Sequence, residues 1–151
     1  MRKPKKWQRG AALAAAGLSR DEMTIAVPGV LGLQYTENTG ISFSLFGDSR
    51  LAMYLVIILT GLVMLAGGIF IALGKIERGA QLCGVTMILA GGFGNWFDRV
   101  TQGYVVDYFE FLFVRFAVFN FADVLITGGV VWLAGRLVFE ETRRRKTVVM
   151  P

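Results

Sequence analysis

Residues 51–74 read LAMYLVIILTGLVMLAGGIFIALG, an unbroken stretch without one charged side chain. As a helix it would rise about 36 Å at about 1.5 Å per residue, enough to cross the roughly 30 Å of hydrocarbon in a bilayer. A soluble helix of that length needs a polar face toward water, and this stretch has none. The segment therefore sets the fold class: a helical protein embedded in a membrane.

Working outward from it, Lys75-Ile76-Glu77-Arg78 makes a short charged turn. Residues 79–97 follow without a charge, although Gln81 and Asn95 lie among them. A third span is expected over 117–138, apolar as far as Gly135 apart from Asn120 and Asp123. Glycines recur in all three segments (Gly67 and Gly68; Gly91, Gly92 and Gly94; Gly128 and Gly129), as close helix approach in lipid requires. Between the second and third spans, Val100 to Phe116 is too short and too charged to cross. It carries Tyr104, Tyr108, Phe109, Phe111, Phe113 and Phe116, the composition of a segment lying at headgroup level. Before the first span, Thr24–Val27, Leu31–Tyr35 and Ile41–Phe46 have β-like composition, punctuated by Pro28-Gly29 and Asn38-Thr39-Gly40.

The expected architecture is mainly α. It is a polytopic membrane helix bundle with three clear spans, a small extracytoplasmic β-like segment over 24–50 and a partly extended interfacial excursion. One membrane-embedded domain covers 1–151, with a basic region at 1–23 and a basic tail at 139–151. The Lys75/Arg78 turn and the Arg143–Lys146 tail fall on the same side of the bundle, which the positive-inside rule makes cytoplasmic. The Asn38 segment and Asp107 then face outward. The basic residues Arg2, Lys3, Lys5, Lys6 and Arg9 also favour the inside. That needs a further span, whereas only Ala11 to Leu18 is apolar there. Either these cations stay outside, or the region enters the interface as a short helix, or a span is missing.

Composition narrows the chemistry. The chain is 54% hydrophobic and 18% charged, with a net charge of +5. Its cations flank apolar segments, a pattern that suits anionic lipid and not nucleic acid. With no histidine, Ser-His and Cys-His nucleophile systems are excluded, as are histidine metal sites. The single cysteine, Cys83, provides neither an intrachain disulfide nor a cysteine-rich zinc site. Acid–base work falls to Asp, Glu, Lys or Tyr. Asp107 and Asp123 stand out, since acids in such apolar surroundings are expensive and read as functional.

Three blocks surround those acids: YTENTGISFSLFGD from Tyr35, GGFGNWFDRVTQGYVVDYFEF from Gly91, and FNFADVLITGG from Phe119. Their order and content closely resemble the bacterial lipoprotein signal peptidases (signal peptidase II), a family of intramembrane aspartic proteases. The likeness runs from about Val27 to Phe139, and the combination of G-N-x-x-D-R, V-V-D and F-N-x-A-D carries its specificity. The resemblance implies that Asp107 and Asp123 are the catalytic pair. It further implies that Asn38, Gly40, Asn95, Asp98, Arg99, Asn120 and Ala122 line or support the site. The implied substrate is a lipid-modified prolipoprotein, cut just before its lipidated cysteine on the outer side of the cytoplasmic membrane, with no metal, cofactor or covalent intermediate. Family members ordinarily have four spans, and the first is missing or much shortened here. A catalytically silent homologue that still binds lipidated substrate is the alternative.

The chemistry of two neighbouring carboxylates agrees with that implication. Two such groups a few ångströms apart do not both ionise readily, so one proton is shared. The ionised member takes a proton from water while the protonated member polarises the scissile carbonyl. Because the two titrate as a pair, either aspartate can begin as the base.

Overall fold

The computed structural model describes residues 23–39, 50–76 and 79–149, with only the backbone considered at Arg50 and at 146–149. Gly40, the expected strand Ile41–Phe46 and the N-terminal residues 1–22 lie outside the described residues. So do Glu77 and Arg78 of the charged turn.

Among the described residues the elements follow in the order β1 (Thr24–Val27), β2 (Leu31–Asn38), α1 (Arg50–Ala72), α2 (Ala80–Gln102), β3 (Val105–Phe111) and α3 (Phe121–Val149). The chain divides into two compact units. Of the described residues, one takes in those up to Ile57 together with Phe97–Asn120, and the other takes those of Ile58–Trp96 and from Phe121 on.

The first unit holds an antiparallel three-stranded sheet in the order β1-β2-β3. Pro28 and Gly29 are the central pair of the turn between β1 and β2, closed by the Val30 N–H donating to the Val27 carbonyl at 3.0 Å. Gly29 sits at φ 69°, which is what the second central position of a type II turn demands. Strand β2 runs on to Asn38, past the expected end at Tyr35, because β3 supplies it with a partner. Thr36, Glu37 and Asn38 stand opposite Asp107, Val106 and Val105, beyond an irregularity between Leu33 and Thr36. The middle of the aromatic excursion, Val105–Phe111, is thus strand. It is entered from α2 through Gly103, whose φ of 83° and N–H to the Arg99 carbonyl (3.1 Å) form a left-handed helix cap.

The second unit is helical. Helix α1 ends in a Schellman cap: Gly74 (φ 65°) donates to Ile71, and Lys75 donates to Phe70, both at 3.0 Å. Helices α2 and α3 meet through their small residues. A Cβ built on Gly91 would collide with the Ala122 carbonyl, and one on Gly129 would stand 2.6 Å from the Gly84 carbonyl. The glycines read from the sequence as approach points therefore bring backbone against backbone. Trp132 adds a polar tie, its indole N–H donating to the Ala80 carbonyl at 2.7 Å.

Among the described residues two helices meet the length and apolarity needed to cross a bilayer: Leu51–Ala72, with mean hydropathy 2.7, and Phe121–Arg145, with 1.6. Leu55, Ile58, Leu59, Leu62 and Leu65 of α1 are each more than half exposed, a surface that water would not tolerate and lipid would. Helix α2 runs past Phe97 to Gln102, carrying Asp98, Arg99, Thr101 and Gln102 beyond the uncharged stretch. Helix α3 starts at Phe121, four residues after the apolar segment begins. The reason is local: the Phe119 N–H and carbonyl are both engaged with Phe109 of β3, so the chain stays extended there.

Candidate active site

In the first unit, Asp107 faces its partners from the middle of β3. Its Oδ2 accepts from the Asn38 side-chain amide at 2.9 Å, and its Oδ1 accepts from the Asn120 amide at 2.8 Å. Asp107 is 3% exposed and Asn120 5% exposed, so water cannot substitute for the Asn120 amide. A buried carboxylate without such donors would carry a heavy desolvation cost. The register delivers Asn38, because it lies on β2 two residues beyond the Thr36–Asp107 pair and so shares that face of the pleat. Asn120 arrives from the other direction, next to the Phe109–Phe119 bridge that closes the aromatic excursion.

The Asp98 and Arg99 pair lies at the end of α2. The Val106 backbone N–H donates to the Asp98 carboxylate, and Arg99 exerts an attractive charge on it. Asp98 therefore ties the end of the helix to the strand that carries Asp107. This is a positioning contact one residue from the acid.

In the second unit, Asp123 lies in the first turn of α3, where a helix terminus favours negative charge. Its Oδ1 accepts from the Asn95 amide of α2 at 2.8 Å. Ala122 occupies the tightest part of the α2–α3 contact, its carbonyl against Gly91 and its Cβ 3.4 Å from where a Cβ on Gly94 would stand.

Of the residues singled out from sequence, Asn38, Asp107 and Asn120 form one hydrogen-bonded cluster, and Asn95 and Asp123 form another. Asp98, Arg99 and Ala122 support them, and Gly40 lies outside the described residues. Sequence reasoning missed Tyr35, Tyr104 and Thr36. Tyr104 is buried at the entry to β3, and Tyr35 hydrogen-bonds with it and donates to Glu37 Oε1 at 3.2 Å. Burial, then Tyr104, then the charge of Glu37 hold the Tyr35 hydroxyl well above the usual phenol range. Alternation along Y-V-V-D places Tyr104 and Asp107 on opposite faces of the sheet, a signal present in the sequence once β3 is recognised as a strand. Among the described residues, no cluster of acids and cysteine suits a metal ion.

Carboxylates gripped by asparagine amides, on a protein whose helices are exposed and apolar, define a membrane enzyme that works with acid groups. Comparison with known proteins makes the class specific. The family model described as Signal peptidase (SPase) II matches residues 6–139. A lipoprotein signal peptidase of Streptococcus pneumoniae is 40% identical over 116 residues, covering 76% of this chain and 73% of the relative. One from Latilactobacillus sakei is 32% identical over 126 residues, covering 83% and 82%. A bacterial membrane enzyme solved by the in meso method at 1.9 Å superposes with a TM-score of 0.68 at 26% identity, covering 86% of this chain and 83% of its own. A second, at 2.3 Å, gives 0.71 at 23% identity over 90% and 82%, a likeness of fold. The chain belongs to the signal peptidase II family, whose members are aspartic peptidases of bacterial membranes.

Proposed function

We propose that the chain removes the signal peptide from lipid-modified bacterial prolipoproteins, cutting just before the lipidated cysteine, with Asp107 and Asp123 as its catalytic pair. Family membership supports the reaction. The observation that supports the residue assignment is that each of these two acids accepts short hydrogen bonds from asparagines of the neighbouring motifs, Asn38 and Asn120 for Asp107 and Asn95 for Asp123. Amide donors hold a carboxylate in one orientation and favour its charged form, as a base requires. Acting as a pair, the two acids share one proton. The ionised member draws a proton from water as that water attacks the scissile carbonyl. The protonated member donates to the carbonyl oxygen, giving a neutral diol, and a proton then passes to the leaving amine. General acid–base assistance of this kind contributes about 10²–10⁴-fold.

In this reading α2 is a third crossing beside α1 and α3, within one membrane-embedded domain. The sheet and both acids lie toward the outer face, and the Arg143–Lys146 tail is cytoplasmic. The substrate slides in from the bilayer by its lipid.

Full-length protein in detergent, given a lipidated prolipoprotein, should release a shorter lipoprotein. Asp107→Asn and Asp123→Asn should each abolish the product, and Asp123→Asn, whose amide oxygen can still accept from Asn95, should leave the thermal unfolding midpoint nearly unchanged. Full activity in either variant would overturn the pairing. Substrate binding without turnover by the native chain would make it a silent homologue.

A further inference from the structure

One end of the sheet is built from two separate pieces of chain. The Leu112 N–H donates to the Val30 carbonyl at 3.0 Å, which holds the Pro28–Val30 turn beside the loop that follows β3. The tip so formed is apolar and outward-facing: Val30 is 45% exposed, Phe113 66%, Val114 49% and Phe116 60%. Rings behind it stiffen the loop, with Phe111 packed on Phe113, Phe116 and Phe119 at centroid distances of 5.4, 5.8 and 4.9 Å. An open groove of about 610 Å³ runs along Glu110 to Phe116.

Across 27–30 and 112–116 the only charged side chain is Arg115. Among the described residues it has no ion-pair partner. Glu110 also borders the groove, but its Oε2 is engaged by the Gln34 amide at 2.9 Å. A lone exposed cation between exposed aromatic rings is the pattern of a segment seated at a lipid headgroup, with rings among the upper acyl chains and the guanidinium on phosphate. The loop leads within five residues into α3, a helix long and apolar enough to cross a bilayer.

We propose that this tip is a membrane-docking wedge, in which Arg115 holds the phosphate of an anionic phospholipid and Phe113 and Phe116 enter the leaflet. The inference rests on the reading that the sheet lies at the bilayer surface. Its role is to fix the depth of β3, and with it Asp107, relative to a substrate anchored by lipid. The occupant is a bulk membrane phospholipid, distinct from the prolipoprotein.

The test uses full-length protein with Cys83→Ser, labelled with a polarity-sensitive fluorophore at Phe113→Cys or, as a mid-sheet control, at Gln34→Cys. Each is reconstituted in vesicles of phosphatidylcholine with or without phosphatidylglycerol, with bromine on the upper acyl chain as quencher. Quenching should be strong at 113 and weak at 34. Adding phosphatidylglycerol should shift the docked-to-undocked ratio at 113 by about fivefold, the factor for about 1 kcal/mol per cation at an anionic surface. Arg115→Gln should lose that lipid dependence and Arg115→Lys should keep most of it. Equal quenching at the two positions, or an unchanged lipid response in Arg115→Gln, would overturn the proposal. The same measurements on Asp107→Asn separate docking from catalysis, because docking should survive there even if the peptidase assignment of Asp107 fails.

Discussion

Replacing Asn120 by alanine tests whether the amide grip on Asp107 sets its protonation. The lost hydrogen bond is short, 2.8 Å, and joins two side chains almost sealed from water. Hydrogen bonds to charged groups are worth about 1.5–3 kcal/mol. Here that energy belongs to the carboxylate and not to the neutral acid. At about 1.36 kcal/mol per pH unit, the acidic limb of the kcat/KM profile should move to higher pH by about one to two pH units. Asn38→Ala, at a half-buried position on the other oxygen, should move it the same way but less far. The sign carries over to stability. A hydrogen bond to an ionised carboxylate contributes more to stability than the same bond to the neutral acid. The melting temperature of Asn120→Ala should therefore trail the native protein more at pH 7 than in acid. The assay is cleavage of a lipidated prolipoprotein in detergent between mildly acidic and mildly alkaline pH. An unmoved acidic limb would refute the reasoning. So would a stability loss equal at every pH, because Asn120 would then be acting only as packing.

Asn95→Ala should lower kcat/KM by about ten- to a hundredfold, the rate equivalent of one charge-assisted hydrogen bond, with little change in melting temperature; a large loss of stability with unaltered activity per folded molecule would contradict the assigned contact. Gly91→Ala should destabilise by about 1–3 kcal/mol, since its new methyl meets the Ala122 backbone and the strain exceeds the roughly 1 kcal/mol gained in helix propensity. Gly68→Ala, with nothing within 4 Å, is the matched control and should be neutral or stabilising in thermal melts. Of the four tyrosines, Tyr35 should be the last to form tyrosinate on alkaline titration, and Tyr35→Phe should remove that final ultraviolet phase. Because its folded value is raised, the stability it adds is complete below about pH 10 and lost as pH rises through that folded value.

Much of the fold was legible because lipid imposes simple rules. An uncharged run of helical length must be a helix, and Leu51–Gly74 became α1. Pro28-Gly29 reads as a turn because only that pair offers a fixed φ followed by a positive one. The helix ends were less legible. Nothing in the composition of 117–120 distinguishes it from the residues after it, and it stays extended because Phe119 pairs with Phe109, ten residues away along the chain. Strand β2 likewise gained Thr36 to Asn38 from a partner some seventy residues distant.

The sequence alone determined the membrane class, the absence of histidine chemistry and of a cysteine disulfide or zinc site, and which acids and asparagines are candidates for the site. These are properties of residue type and local spacing, which a linear chain displays directly. Only the tertiary structure decided which amide serves which carboxylate oxygen: Asn38 and Asn120 for Asp107, and Asn95 for Asp123. It also decided that Asp98 braces Val106, and that residue 91 must be glycine because a Cβ there would meet the Ala122 carbonyl. Those partnerships depend on strand register and on how closely two helices approach. Both are set by contacts between residues far apart in the chain, and no local pattern encodes them.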